Sequence, residues 1–174
     1  MYSIEPAYLV YNELVNKLME ASRRKENQWF FTSAAFSPES CLDLTADTGK
    51  HENFVVIERK EIIAYFTACW DKALNVLDGF SIIFFNENKS LVATKALFQY
   101  LDYVFIVRGC NVLSWLVAEK NEKALNIYRR FVKHYCGREI GKKTRGQKGY
   151  SGEISDIIFF EITKEQYINC KNRG

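Results

Sequence analysis

A mixed α/β fold, an α+β-type sheet with parallel strands in its middle and helices on both faces, is predicted by three features of the chain. Two apolar strand-like runs, 80–85 and 112–117, each stop at a polar cluster and pass straight into an amphipathic helix. Phe54-Val55-Val56-Ile57 is joined to Ile62-Ile63-Ala64-Tyr65-Phe66 by the charged Glu58-Arg59-Lys60-Glu61, which reads as a hairpin. The composition, 48% hydrophobic and 15% aromatic over 174 residues, suits one domain spanning 1–174 with a substantial core and excludes disorder.

The elements follow in order. From Pro6 to about Arg24, Tyr8, Tyr11, Leu14, Val15, Leu18 and Met19 repeat at helical spacing, with Pro6 suited to a first turn. Trp29 to Phe36 has no clean period and reads equally as strand or packed loop. Ser37-Pro38-Glu39 has the pattern of a helix start, so a short helix through Leu44 is expected. Ala46 to Asn53 is polar and contains Gly49, which marks a loop. The second strand of the hairpin extends toward Trp70, and Asp71 to Gly79 reads as a connection.

Phe80 to Phe85 is apolar on both faces, as in a central strand covered on both sides. A helix from about Ser90 to Arg108 turns Leu97, Leu101, Val104 and Phe105 inward, and Gly109 is its natural stop. Val112 to Val117 is the next strand. Asn121 then caps a helix in which Ala124, Tyr128, Phe131 and Tyr135 share one face and Lys123, Asn126, Arg130 and Lys133 the other. Gly137 supplies a stop, Glu139 to Arg145 a strand, Gly146 to Gly152 a turn, and Ile154 to Thr163 a closing strand.

The two strand-helix junctions, Asn86 to Ser90 and Glu119 to Asn121, fall at one sheet edge if the strands are parallel with a right-handed crossover. Helix N-termini with free N–H groups attract phosphate there, although ordinary capping accounts for the same residues.

On this element order, the FVVIERKEIIAYF hairpin, the closing DIIFFEIT strand and the motif Asn121-x-x-Ala124-x-x-x-Tyr128, the chain over roughly 54–165 resembles the GNAT superfamily of N-acetyltransferases, with the acyl-CoA N-acyltransferase fold. The resemblance implies transfer of an acetyl group from acetyl-CoA to an amine acceptor by direct attack. It makes Tyr128 the general acid that protonates the leaving thiolate and Asn121 a cofactor contact. A phenol with an ordinary pKa of about 10 stays protonated at neutral pH. Simple core packing is the alternative for Tyr128.

The superfamily's pyrophosphate loop reads Q/R-x-x-G-x-G/A, and Lys89-Ser90-Leu91-Val92-Ala93-Thr94 stands at that place. Asn88, Lys89, Ser90, Val92 and Thr94 are therefore the further cofactor-binding candidates. The loop is atypical, because the branched Val92 and Thr94 replace both small residues and would weaken or rearrange phosphate binding. Glu119, at a strand end, is the first candidate to take the amine's proton, ahead of Glu87, Asp71 and Asp78; a merely solvated carboxylate is the alternative.

Composition narrows the remaining classes. A formal net charge of +3 is a mild excess. The basic run Arg138, Lys142, Lys143, Arg145 and Lys148 suits an acidic partner or an RNA backbone, but also a solvated hairpin. A GNAT-like interaction module without cofactor is the other rival reading. Five scattered cysteines without a C-x-x-C pair read as reduced thiols in a cytoplasmic protein. His51 and His134 form no triad and no metal site. No signal-peptide pattern opens the chain, no run is long enough to span a membrane, and monomer and homodimer both remain open.

Overall fold

The computed structural model of the protein describes residues 1–31, 50–85, 91–134, 137–149 and 151–172. Its strands are β1 (Tyr2–Pro6), β2 (His51–Glu58), β3 (Glu61–Asp71), β4 (Val76–Phe84), β5 (Val112–Ala118), β6 (Arg138–Lys148) and β7 (Ile154–Thr163). They form one sheet in the order β1-β2-β3-β4-β5-β7-β6. β4 and β5 are parallel and the other neighbours antiparallel. The helices are α1 (Tyr11–Ser22), α2 (Leu91–Asp102), α3 (Glu122–His134) and α4 (Lys164–Lys171). This is the mixed sheet with parallel middle strands that the sequence predicts.

Both sheet faces are covered. Leu14, Val15 and Leu18 of α1 pack with Val55, Ile62, Tyr65, Ile83 and Phe85. Burying each such side chain stabilises by about 1.5–3 kcal/mol, more than a cap supplies. α1 accordingly holds without a side-chain cap. On the other face, Ala96, Tyr100 and Leu101 of α2 and Leu125 of α3 pack with Phe66, Phe80, Leu113, Trp115 and Phe160. β4 serves both cores, Phe80 on one side and Ile83 on the other, which is why it carries apolar residues on both of its faces.

Several boundaries differ from the sequence reading. The first helix begins at Tyr11 rather than Pro6, because Tyr2–Pro6 pairs with β2 as an edge strand and Ala7–Val10 forms a tighter turn. Proline is tolerated at such an edge, where its missing N–H is not needed. The expected loop through Asn53 is instead the start of β2; Asn53 Oδ1 accepts from the Tyr65 hydroxyl at 2.7 Å and from Thr67 Oγ1 at 2.8 Å, so its polarity is satisfied inside the sheet.

The expected connection 71–79 contains the first residues of β4. Gly79 has φ +64°, and the register jumps between Thr67↔Ser81 and Cys69↔Asp78, so Asp78-Gly79 marks a bulge and not a turn. β6 runs on to Lys148, leaving a turn closed by the Gly152 N–H on Gly149 O at 2.9 Å. α4 has no counterpart in the sequence reading. It starts with a capping box between Thr163 and Gln166, and Tyr167 stacks on Phe105 at 4.9 Å.

Other expectations hold. α2 passes through a wider turn, Tyr103–Val107, to Gly109 at φ +74°. The closing strand occupies Ile154–Thr163. The segment 32–36 and the short helix through Leu44 lie outside the described residues. Cys69 and Cys110 are free, but Cys170 is disulfide-bonded, contrary to the reading of all five as thiols; scatter along the sequence does not prevent pairing in space.

Candidate functional site

Among the described residues the β4–β5 ladder consists of Val76↔Val112 and Leu77↔Leu113. Asparagines fix this joint. The Asn111 N–H donates to Asn75 O at 2.8 Å, Asn75 Nδ2 to Gly109 O at 3.0 Å, and Asn111 Nδ2 to Leu74 O at 3.0 Å. Beyond Leu77 and Leu113 the two strands part, among the described residues, and a gap opens toward their C-terminal ends. Ser114 Oγ donates to the Asp78 carboxylate at the start of this gap. Backbone N–H and C=O groups along its rim are left without the ladder partners that parallel neighbours normally give each other.

α3 is set beside β5 by its first turn. Asn121 Oδ1 accepts from the Ala124 N–H at 3.3 Å and Asn121 O from the Leu125 N–H at 2.9 Å, so Asn121 is the cap expected. Leu125, Ala124, Tyr128 and Phe131 then face the sheet. The Tyr128 ring lies 5.8 Å from Trp115 of β5 and 6.1 Å from Phe160 of β7. Trp115 and Phe160 are cross-strand partners and stack at 5.7 Å. Burial in this aromatic pocket pushes the Tyr128 phenol up to about 12.

Among the described residues the Tyr128 hydroxyl has no hydrogen-bond partner, and neither has the buried Trp115 Nε1–H. Trp115 and Phe160 were not identified from the sequence; the period-2 pattern of 112–117 locates the strand, but nothing local gives the register that stacks the two rings.

Glu119 follows the last residue of β5. Its carboxylate accepts from Lys142 Nζ at 2.8 and 3.0 Å, and Lys142 also meets Asp156 at 2.9 Å. These hydrogen bonds hold the Lys142 ammonium above its ordinary pKa. Asp156 lies below the usual carboxylate range, chiefly through the Arg145 N–H and then through Lys142.

Of the phosphate-loop candidates, Asn88, Lys89 and Ser90 lie outside the described residues. Val92 is half-buried and packs against the core, while Thr94 is exposed on the same first turns of α2. Only Thr94 therefore keeps its branch at the surface. No group of three or more His, Cys, Asp or Glu among the described residues is placed to hold a metal. No helix among them is long and apolar enough to cross a membrane.

No family model and no curated protein matches the chain. Solved structures do. A GCN5-related N-acetyltransferase from Brucella melitensis superposes with TM-score 0.73 at 21% identity, covering 98% of this chain and 79% of that one. Spermidine N-acetyltransferase from Vibrio cholerae in complex with CoA and spermine gives 0.73 at 18% identity, covering 97% and 98%. Mycobacterium smegmatis RimJ in complex with CoA-disulfide gives 0.71 at 17% identity, covering 98% and 89%. The architecture is thereby defined: the chain has the fold of these N-acetyltransferase structures.

Proposed function

We propose that the chain is an N-acetyltransferase that uses acetyl-CoA and an amine acceptor. The observation that carries this reading is the gap between β4 and β5, with Tyr128 packed against the strand that borders it. Unpaired backbone groups along the rim suit the amides of coenzyme A, and the N-terminal N–H groups of α2 suit its phosphates. Asn88, Lys89, Ser90 and Asn121 would complete that cradle. The Val92 branch is taken up by the core, and Thr94 presents a hydroxyl where a glycine or alanine is usual. Bound acetyl-CoA would supply the acetyl group as an activated thioester.

Tyr128 Oη holds a proton throughout the neutral range. At about 12 the phenol is a weaker acid than an ordinary thiol of about 8.5, so complete transfer to a free thiolate runs uphill by roughly 4–5 kcal/mol. Its contribution is therefore a charge-assisted hydrogen bond to the departing sulfur, with protonation completed as the amine gives up its own proton. Glu119 receives that proton first, directly or through a water, and passes it by way of water to the thiolate, so that amine and thioester leave as amide and thiol. Lys142 occupies part of its carboxylate, and the remaining lone pairs are available.

Calorimetric titration with acetyl-CoA, followed by thiol release with a panel of amines, tests this directly. Saturable binding and amine-dependent thiol release are expected; absence of saturable heat up to millimolar acetyl-CoA removes the enzyme reading in favour of an interaction module. Tyr128→Phe should lower kcat about 10- to 100-fold, the worth of one hydrogen bond to a charged group, with acetyl-CoA affinity little changed. An unaltered rate removes the role assigned to Tyr128. For the RNA reading, Lys142 is paired with Glu119 and Asp156 and Arg138 with Glu161, so salt-dependent retention on RNA that is abolished by neutralising Lys142 and Lys143 is its test.

A further inference from the structure

At the sheet end opposite the gap lies a cavity of about 270 Å³. The register places it there: Trp70 of β3 pairs with Leu77 and His51 of β2 with Cys69, at the end where β4 and β5 are joined. Its walls include Glu52, Phe54, Trp70, Lys72, Tyr103 and Arg108. Nothing in the acetyl-transfer reading uses these residues.

Two cations converge on one indole. The Arg108 guanidinium lies 3.5 Å from the centre of the Trp70 ring, and Lys72 Nζ lies 5.1 Å from it. Glu52 is the single carboxylate in the lining. It is 8% exposed, is ion-paired with Arg108 and accepts from the Tyr100 hydroxyl at 3.4 Å. One committed carboxylate facing two cations leaves a surplus positive charge, which belongs to Lys72. Around that charge the walls are aromatic, with Phe54 and Tyr103 also in edge contact at 6.1 Å.

We infer that this cavity is a second ligand site, taking a small organic carboxylate whose apolar or aromatic body lies among Phe54, Trp70 and Tyr103 and whose charge meets Lys72 and Arg108. A cationic ligand would meet two like charges with only an already paired acid to offset them. An inorganic anion would leave the aromatic walls unused. The volume sits just below that of drug-sized pockets, about 300–1,000 Å³, which limits the ligand to a compact monoacid rather than a nucleotide. Burial acts against the Arg108 charge, and an anion beside it offsets that cost.

The test uses the full chain, labelled with nitrogen-15, without acetyl-CoA, so its outcome is independent of the acetyl-transfer reading. Benzoate and indole-3-acetate are the probes, with benzylamine and inorganic phosphate as counter-probes. Of the three tryptophan indole N–H signals, the one lost in Trp70→Phe should shift saturably with benzoate. Lys72→Gln, at an exposed position, should weaken benzoate about tenfold, the worth of one charge-assisted contact. Lys60→Gln, in the distant β2–β3 turn, should leave it unchanged. The inference is overturned if benzylamine or phosphate shifts the Trp70 signal with equal affinity, if Lys72→Gln has no effect, or if all three indole signals move together.

Discussion

Tyr128 is under two influences that favour the same protonation state. Its half-buried ring packs against Trp115 and Phe160, and no carboxylate or carbonyl among the described residues accepts from its hydroxyl, so the neutral phenol is favoured in the folded chain. The unfolded chain, with a pKa of about 10, releases this proton first as pH rises. Between about 10 and 12 the native state therefore binds more protons than the unfolded state, and stability falls with rising pH across that window. The loss is on the order of 2–3 kcal/mol for this group. Tyr100, also raised by burial, acts in the same direction in both wild type and a Tyr128 variant, so a difference measurement isolates Tyr128. Urea unfolding across this range should show wild type losing stability more steeply than Tyr128→Phe. Parallel losses would mean that the phenol is not desolvated. This tyrosine was legible in the sequence through Asn121-x-x-Ala124-x-x-x-Tyr128; its desolvation was not, because Trp115 and Phe160 reach it from strands that adjoin only in space.

At the level of elements, Gly137 shows how a correct reading can rest on an incomplete reason. The sequence marks it as the stop after α3, as for a glycine in the left-handed region, yet its φ is not positive. A Cβ there would stand 2.8 Å from Glu161 O and 3.0 Å from Val132 Cγ1, so the glycine permits the chain leaving α3 to pass close against β7. Gly137→Ala should therefore cost about 1–3 kcal/mol by overpacking, read as a lower urea midpoint at unchanged slope. Gly141→Ala, with nothing within 4 Å of its Cβ, is the control and should change stability by less than half as much. Equal effects would remove the close-approach explanation. Long periodic elements were legible for physical reasons: α3 has apolar positions on one face only, and the hairpin has two β-rich runs around a charged turn. β1 and the start of β4 were hidden because Pro6 and Asp78-Gly79 carry helix-start and turn chemistry, which an edge strand and a bulge also tolerate. α4 was hidden because its polar composition gives no face to detect; Tyr167 alone anchors it in the core.

For the whole molecule, the sheet behaves as two antiparallel blocks, β1–β4 and β5-β7-β6, joined by two parallel residue pairs and the bonds of Asn75 and Asn111. Each block is paired along its length, so its inner amides should open only at high free-energy cost. Amides on the rim of the gap, in β4 beyond Leu77 and β5 beyond Leu113, have no such protection on that side. Neither the apolar runs nor the junction motifs reveal this, because the parting depends on a register set by Asn75 and Asn111 across 34 to 37 residues of chain, from Asn75 Nδ2 to Gly109 O and from Asn111 Nδ2 to Leu74 O. Hydrogen exchange should therefore find rim amides exchanging faster than those shared by β2 and β3. If acetyl-CoA occupies the gap, saturating acetyl-CoA should slow the rim amides selectively and leave β1–β2 amides unchanged. Protection confined to the Trp70–Arg108 end, or none at saturation, would remove the gap as the cofactor's place. A uniform slowing across both blocks would mean that acetyl-CoA stabilises the chain globally without filling the opening, since a ligand lying along the rim must act first on the amides it covers.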